Sequence, residues 1–371
     1  MNREIIFGKW EGISTVVLAI CTQIFLNMPR VVAEAAGTAG WILTAYVSII
    51  ALVLFTFITR LYSRFEGMDI LEISEFAGGK ALKIIAGTII FLYLIFDVSI
   101  VLREFSENMK IISLSVSPIS FVMLFFLAGM ITGAYAGIEG IVRVAAIAVP
   151  LIIVGYIIIA VGVLQFNDFS RIMPWFGLGT DKIFLEGLGK ISIFSGIIVI
   201  FFIAPFLKIN RNFKRVGYIG LLMSALFLIL SALVYLIIFP YPSATENFLP
   251  IYQLARTINY GRFFQRVESV FLFLWAIAAL LYLTLSFFFI LYVFAETFNI
   301  KYYKPLIIPF SIIVFTLSII PPNLLTAIEL DTKYLMNYAW IVAFGLTILI
   351  LLMAGFKKNR AIKERNRNER D

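Results

Sequence analysis

Residues Ile13–Gly37 read ISTVVLAICTQIFLNMPRVVAEAAG. The run from Val16 to Cys21 is apolar, and Thr22, Gln23 and Asn27 then cluster just before Pro29. Proline fits the first turn of a helix and breaks a helix interior, because it lacks the N–H that would bond four residues back. Two structures satisfy this pattern. In one, the segment is two half-helices meeting near residues 23–28, and the second half points unpaired N–H groups and a partial positive charge into the membrane, a seat for an anionic group. In the other, a single helix kinks at Pro29 and the neighbouring polar side chains satisfy the freed backbone.

The rest of the chain places this stretch inside a bilayer. Of 371 residues 61% are hydrophobic and 14% charged, against about 25% charged in soluble domains. A soluble fold of this composition would expose large apolar patches. Ten segments reach or approach the roughly 20 apolar residues that cross a hydrocarbon core: 13–36, 41–61, 84–113, 118–136, 141–164, 185–207, 216–239, 264–297, 305–320 and 334–355. No strand-like alternation suggests a barrel. The expected fold is an all-α integral membrane protein of ten transmembrane helices. Residues 1–356 form the membrane domain and 357–371 a basic cytoplasmic tail, expected to be otherwise disordered.

The net charge of +8 comes from topology, so no nucleic-acid partner is expected. With the N-terminus inside, inner segments carry twenty Lys and Arg and outer segments eight, with Arg103 and Lys190 inside spans. That asymmetry puts both termini in the cytoplasm. The lipid bilayer is the first partner. Residues before Gly12 are too short and polar for the core of a cleaved leader.

Polar residues within spans are the candidate site. Asp97 lies about 21 Å along the third segment from Lys83, near mid-bilayer, where an acid must face the bundle. Asp97, Glu104 and Asn108 share one helical face; Arg103 and Glu107 are spaced to pair on another. In the sixth segment Ser195-Gly196, after Phe194, suits a plain kink or close helix packing when taken alone; its position, matching the break in the first segment when the chain is divided into two halves of five, raises a second interruption. Glu186 and Lys190 are spaced as an i,i+4 pair, with Lys190 reaching outward. Tyr282, Thr284 and Ser286 sit near mid-depth of the eighth segment, suited to helix–helix hydrogen bonds. Gly129, Gly133 and Gly137 suit close helix packing. The candidate binding residues are Thr22, Gln23, Asn27, Asp97, Phe194, Ser195, Gly196 and Tyr282.

Catalytic chemistry finds little support. There is no His and one Cys, Cys21, so His-based acid–base catalysis, His/Cys metal clusters and disulfides are excluded. No phosphate-binding G-x-x-x-x-G-K-[ST] occurs. The chain is expected not to be an enzyme and to need no cofactor or metal.

Several short stretches occur together in order: Pro29 followed by Ala36-Gly37-Thr38-Ala39-Gly40-Trp41; LYSRFEG at Leu61–Gly67; Leu102-Arg103-x-Phe105-x-Glu107; Gly137-Ile138-Glu139-Gly140-Ile141-x-Arg143; Met173-Pro174-Trp175; and Pro205-Phe206. In these the chain resembles, over about residues 8–356, the spore germination permeases, the B subunits of bacterial germinant receptors, within the amino acid–polyamine–organocation superfamily. The resemblance implies two inverted five-helix repeats with interrupted helices 1 and 6, residence in the spore inner membrane, and a complex with a membrane-embedded A subunit and a lipoprotein C subunit. It implies a role in sensing a small nutrient germinant, often an amino acid. In superfamily transporters the substrate carboxylate meets the unwound part of helix 1, often at glycines; the matching Thr22–Asn27 here has none. Gly196 is followed by Ile197 and Ile198 where family members often place an acid, and the fifth segment lacks the lysine common in proton-coupled members.

Three functions follow as expectations. The first is a sensing subunit that binds a solute at mid-membrane. The second is a secondary transporter of amino acids or related solutes, selected by net uptake by the protein alone. The third is a structural or channel-scaffold subunit with a vestigial pocket, selected by loss of receptor assembly without ligand binding.

Overall fold

A computed structural model describes residues 7–207, 212–259 and 267–368. Arg3, Lys208, Arg211, Arg262, Arg266 and Arg370, counted above for topology, lie outside the described residues. The helices are α1 (Lys9–Cys21), α2 (Met28–Ala36), α3 (Gly40–Tyr62), α4 (Ile70–Ile112), α5 (Ile119–Gly162), α6 (Thr180–Phe184), α7 (Val199–Ile203), α8 (Asn212–Ile238), α9 (Pro250–Thr257), α10 (Val267–Thr297), α11 (Ile307–Ile319), α12 (Leu324–Leu330), α13 (Met336–Trp340) and α14 (Thr347–Asn368). Among the described residues the β structure is one isolated bridge, Phe7 to Leu207.

Among the described residues seven helical stretches are long and apolar enough to cross a membrane, and the apolar stretch Lys304–Ile319 is shorter. The fourth and fifth expected segments share the stretch Ile119–Phe166, the ninth is the shorter Lys304–Ile319, and the first is split between α1 and the start of Met28–Tyr62. Ile119–Phe166 has 48 residues, which at 1.5 Å each is about twice the hydrocarbon thickness. It folds at Gly137, whose φ of +80° is open to glycine and strained for other residues. Gly78 and Gly79 similarly separate a short first leg of α4 from its long limb. Asp69 starts α4 with a capping box, its carboxylate accepting from the Glu72 N–H at 2.7 Å.

The interior is aliphatic and aromatic, with Trp275, Phe105, Phe194 and Phe201 fully buried. Tyr62 stacks on Phe213 at 3.9 Å between ring centres, tying α3 to α8. The outward face is apolar too: Phe125 and Ile147 are each 70% exposed, as suits contact with lipid. Gly129 and Gly133 leave no room for a side chain against Leu280 and Thr284 of α10, the close packing expected of them; Gly137 serves the turn instead.

Two expectations need correction. The basic tail is not a disordered appendage: α14 continues to Asn368. Its Lys358 ammonium donates to the Arg64 carbonyl at 2.8 Å and lies over the Phe65 ring, so the LYSRFEG turn receives the tail's first turn. The last span also starts ten residues earlier than expected, at Leu324. Asn323 caps it by accepting from the Thr326 N–H at 2.9 Å.

Candidate functional site

The first segment breaks as its proline demands. α1 ends at Cys21, a single 3₁₀ turn covers Thr22–Phe25, and α2 starts at Met28 with Pro29 in its first turn. Between them Leu26 (φ −91°, ψ −117°) leaves helical space. The indole N–H of Trp275 donates to the freed Phe25 carbonyl at 3.1 Å, holding α10 on the break. Asn27 occupies the N-cap position of α2 but makes no capping bond. It is buried, and apart from the Asp331 carboxylate its side chain has no hydrogen-bond partner.

The sixth segment is interrupted differently. A 3₁₀ helix winds from Glu186 to Ile198 and passes into α7 without an unwound stretch. Runs of this length are uncommon, because side chains three residues apart eclipse. Gly196 faces the backbone of α1: a Cβ there would collide with the Ala19 carbonyl. Gly196 therefore sets how closely the two interrupted segments cross. Phe194 is packed in the core, and the Ser195 hydroxyl accepts from the Tyr93 hydroxyl at 3.1 Å.

The other expected residues divide. Thr22 is buried, but its hydroxyl is spent on the Leu18 carbonyl at 2.7 Å, and it borders a small apolar cavity shared with Val149, Tyr156 and Ala278. The Gln23 side-chain oxygen is buried without a partner. Asp97 accepts from the Tyr282 hydroxyl at 2.7 Å, linking α4 to α10. Thr284 bonds its own helix at Leu280. Asp97, Glu104 and Asn108 are all buried on one face of α4, as their spacing requires. Arg103 pairs with Glu107 at 2.7 Å, also as expected.

The sequence reading missed the residue at the centre. Asp331 is fully buried, and its carboxylate has no hydrogen-bonding neighbour besides the Asn27 side chain. It opens a π-helical turn, Asp331–Leu335, between α12 and α13; such turns widen a helix locally and recur at functional sites. Its carboxylate lies against the Asn27 amide and within electrostatic reach of Asp97, Glu104 and Lys190. Asp331 falls between Glu329 and Lys333, so it reads as part of a polar loop. The missed signal was Pro321-Pro322-Asn323, which marks a helix start two turns earlier.

Lys190 is a second correction. It does not pair with Glu186 or reach outward. Glu186 pairs with Lys182 at 2.6 Å, while the Lys190 ammonium turns inward and donates to Asn337 at 2.8 Å. Two 3₁₀ turns set that direction, since 3.0 rather than 3.6 residues per turn move Lys190 off the Glu186 face.

The arrangement is a polar centre between the break of the first segment, α4, the 3₁₀ helix, α10 and the π turn. A vestibule of ≈ 250 Å³ lies at the Asn108 end of α4, lined also by Glu246, Asn247 and Arg256. Beside it Arg30 pairs with Glu34 at 2.6 Å, donates to the Thr245 carbonyl and lies over the Phe248 ring. The sequence stretches after Pro29 also meet. The Thr38 hydroxyl donates to the Pro174 carbonyl at 2.6 Å, and Trp41 meets Trp175 edge-on, so AGTAGW is held against MPW.

The chain matches the sequence model of a family described as spore germination protein, over residues 11–325. It is 23% identical to spore germination protein B2 of Bacillus subtilis (strain 168) over 209 residues, 56% of this chain and 57% of that relative's length. Solved transporter structures share the fold. A closed, bromovinylhydantoin-bound structure of Mhp1, a nucleobase-cation-symport-1 family transporter, matches with a TM-score of 0.69 at 12% identity, covering 94% of this chain and 78% of that one. A substrate-bound, outward-open Na⁺-coupled sialic acid symporter matches with a TM-score of 0.61 at 13% identity, covering 94% and 88%.

Proposed function

The chain belongs to the spore germination protein family, and on that premise we propose that it is a non-catalytic, solute-sensing subunit of a germinant receptor. A small nutrient, an amino acid or a related solute, binds at the polar centre between Asn27, Asp97, Glu104 and Asp331. The observation that carries this reading is the buried pair Asn27 and Asp331 at the break of the first segment, which have only each other to bond and leave the rest of their polar capacity unmet. Leaving such groups unpartnered costs about 1–3 kcal/mol each, a cost that persists only if something else supplies the partner. Binding favours one arrangement of the bundle, and only a difference in affinity between arrangements carries a signal. The receptor context we propose is the spore inner membrane, with both termini on the core side and with an A subunit and a lipoprotein C subunit as partners.

A second reading is a secondary transporter using the same centre. The specific observation favouring it is the overlap with transporter structures over 94% of this chain. Purified protein in liposomes separates the readings. Labelled amino acids, nucleosides and sugars are tested for saturable binding and for accumulation, with and without Na⁺ or proton gradients. Binding without accumulation is expected of the sensor. Gradient-driven accumulation would replace the sensor by a transporter. Absence of both, persisting after the two partner subunits are added, would leave a scaffold with a vestigial pocket.

A further inference from the structure

The limb of α5 that follows the Gly137 turn carries features that the polar centre does not use. Pro150 lies inside it, and a proline has no N–H for the carbonyl four residues back, here that of Ala146. The indole N–H of Trp10 takes that carbonyl at 3.0 Å. This fixes the start of α1 beside the start of the limb, so the exposed Lys9 and Arg143 stand at the same membrane boundary. Arg143 is 67% exposed; Glu139 pairs with it at 2.5 Å and takes up part of a fork of five N–H donors.

From Val144 onward the limb forms one wall of an apolar groove of ≈ 390 Å³, and Phe273, Leu274 and Ile277 of α10 form the other. Gly155 lets the walls meet at its floor, since a Cβ there would strike the Leu274 side chain. Ile147, Leu151, Val154 and Phe273 are exposed, so the groove is continuous with the lipid-facing surface. One leaflet contributes half of a hydrocarbon core of about 30 Å, which at 1.5 Å per residue is about ten residues of helix. Counted from Arg143, that depth runs from Val144 to Val154 and includes Ile152. Ile152 also walls the small apolar cavity beside Thr22 and Phe25, at the break of the first segment. An acyl chain entering the groove exchanges lipid contacts for protein contacts of the same kind, so the apolar walls do not choose among lipids. The choice falls to the two cations at the boundary, each worth about fivefold in favour of an anionic headgroup.

We propose that an anionic phospholipid from the leaflet on the Arg143 side is a specific ligand of this groove. Its phosphate is held by Arg143 and Lys9, and one acyl chain lies along Val144–Val154 with its end against Ile152. The lipid thereby backs the outer wall of the break in the first segment. The assignment stands or falls independently of any solute at the polar centre.

The test is native mass spectrometry of the full-length protein released from detergent micelles doped with chain-matched lipids. Dioleoyl phosphatidylglycerol supplies the anionic headgroup, dioleoyl phosphatidylcholine the zwitterionic one, and glycerol phosphate the anion without a tail. The expected result is retention of a single phosphatidylglycerol, about tenfold or more in preference to phosphatidylcholine, with no binding of glycerol phosphate at the same concentrations. Lys9→Gln combined with Arg143→Gln should erase that preference, and Arg143→Gln alone should reduce it about fivefold. Leu151→Trp and, separately, Val154→Phe fill the groove from the lipid side and should displace the lipid while both cations remain. Either filling variant carries the test if the other fails to elute as one species. Equal retention of the two lipids, a preference indifferent to loss of both cations, or retention indifferent to the filled groove would overturn the assignment. Glycerol phosphate bound as tightly as the lipid would also overturn it, leaving an anion site without a place for the tail.

Discussion

Two groups of acids, one around the buried Asp69 and one around the buried Asp331, sit at different places in this bundle and are built in opposite ways. At the start of α4, Asp69 accepts from the Glu72 N–H at 2.7 Å and from the Tyr292 hydroxyl at 2.5 Å. Close by, Lys83 donates to Glu75 and Asn299 at 2.8 and 2.9 Å, with Glu296 at 3.9 Å. These bonds close a helix end, bridge the Gly78–Gly79 kink of α4 or join elements distant in sequence. At the centre, Asp331 has only the Asn27 side chain beside it to bond, and Glu104 retains an unmet oxygen. The first group is a clasp whose acids are met by the protein itself. The second is met only in part, and that difference, rather than the number of acids, marks it as a place for a ligand. Asp69, Glu72 and Glu296 lie close enough to hold a metal ion, but the bonds already made to Asp69 give the clasp a sufficient structural role.

The comparison breaks most visibly if the clasp is dispensable. Asp69→Ala removes a helix cap, worth about 1 kcal/mol, and leaves the buried Tyr292 hydroxyl unpartnered, at about 1–3 kcal/mol. A loss of about 3 kcal/mol is expected, read as a lower midpoint of thermal unfolding in detergent. An unchanged midpoint would mean that the clasp holds nothing. At the centre, Lys190→Met removes an ammonium within electrostatic reach of Asp331 and should lower stability by about 2 kcal/mol. Adding Asp331→Asn should restore part of that loss. Additivity of the two substitutions would show that Lys190 and Asp331 do not sense each other.

The clasp also has a pH signature. Burial, with the charges of Glu72 and Glu296, pushes the Asp69 carboxyl up to about 6, against the opposing bonds from Tyr292 and the Glu72 N–H. A carboxyl that holds its proton more tightly when folded adds stability as pH falls from about 6 toward its unfolded value near 4. That gain is lost as pH rises through 6. The unfolding midpoint of the parent should therefore rise relative to that of Asp69→Asn between pH 7 and pH 5. Parallel profiles for the two proteins would contradict this.

What could be read from the sequence follows the strength of each local signal. Pro29 can sit only at a helix start or a break, so the interruption of the first segment was visible, and Asn27 with it. Ser195-Gly196 carries no such constraint: the same letters suit an unwound stretch, a kink or a close crossing. The outcome, a buried 3₁₀ helix with Gly196 against Ala19, depends on a partner helix 177 residues away. Asp97, Glu104 and Asn108 were placed together because helical spacing is local arithmetic. Asp331 was hidden because a run of Glu329, Asp331 and Lys333 looks like solvent-facing loop, and only the cap at Asn323 moves it inside. Lys190 was misdirected for a similar reason, since an i,i+4 spacing predicts a pair only where the winding is α.

The smallest expected effect separates the two clusters most sharply. Asp331→Asn keeps the size and shape of the side chain and removes a buried charge whose hydrogen-bonding neighbour is the Asn27 side chain alone. An acid that the fold depends on loses stability when neutralised. An acid held unmet for a ligand loses none, and the empty protein gains if the charge was strained. The unliganded midpoint of Asp331→Asn is therefore expected to equal or slightly exceed that of the parent, by about 0–1 kcal/mol. A loss of more than about 2 kcal/mol would place Asp331 with Asp69, as structural cement, because only bonds made in the empty protein register in its unfolding.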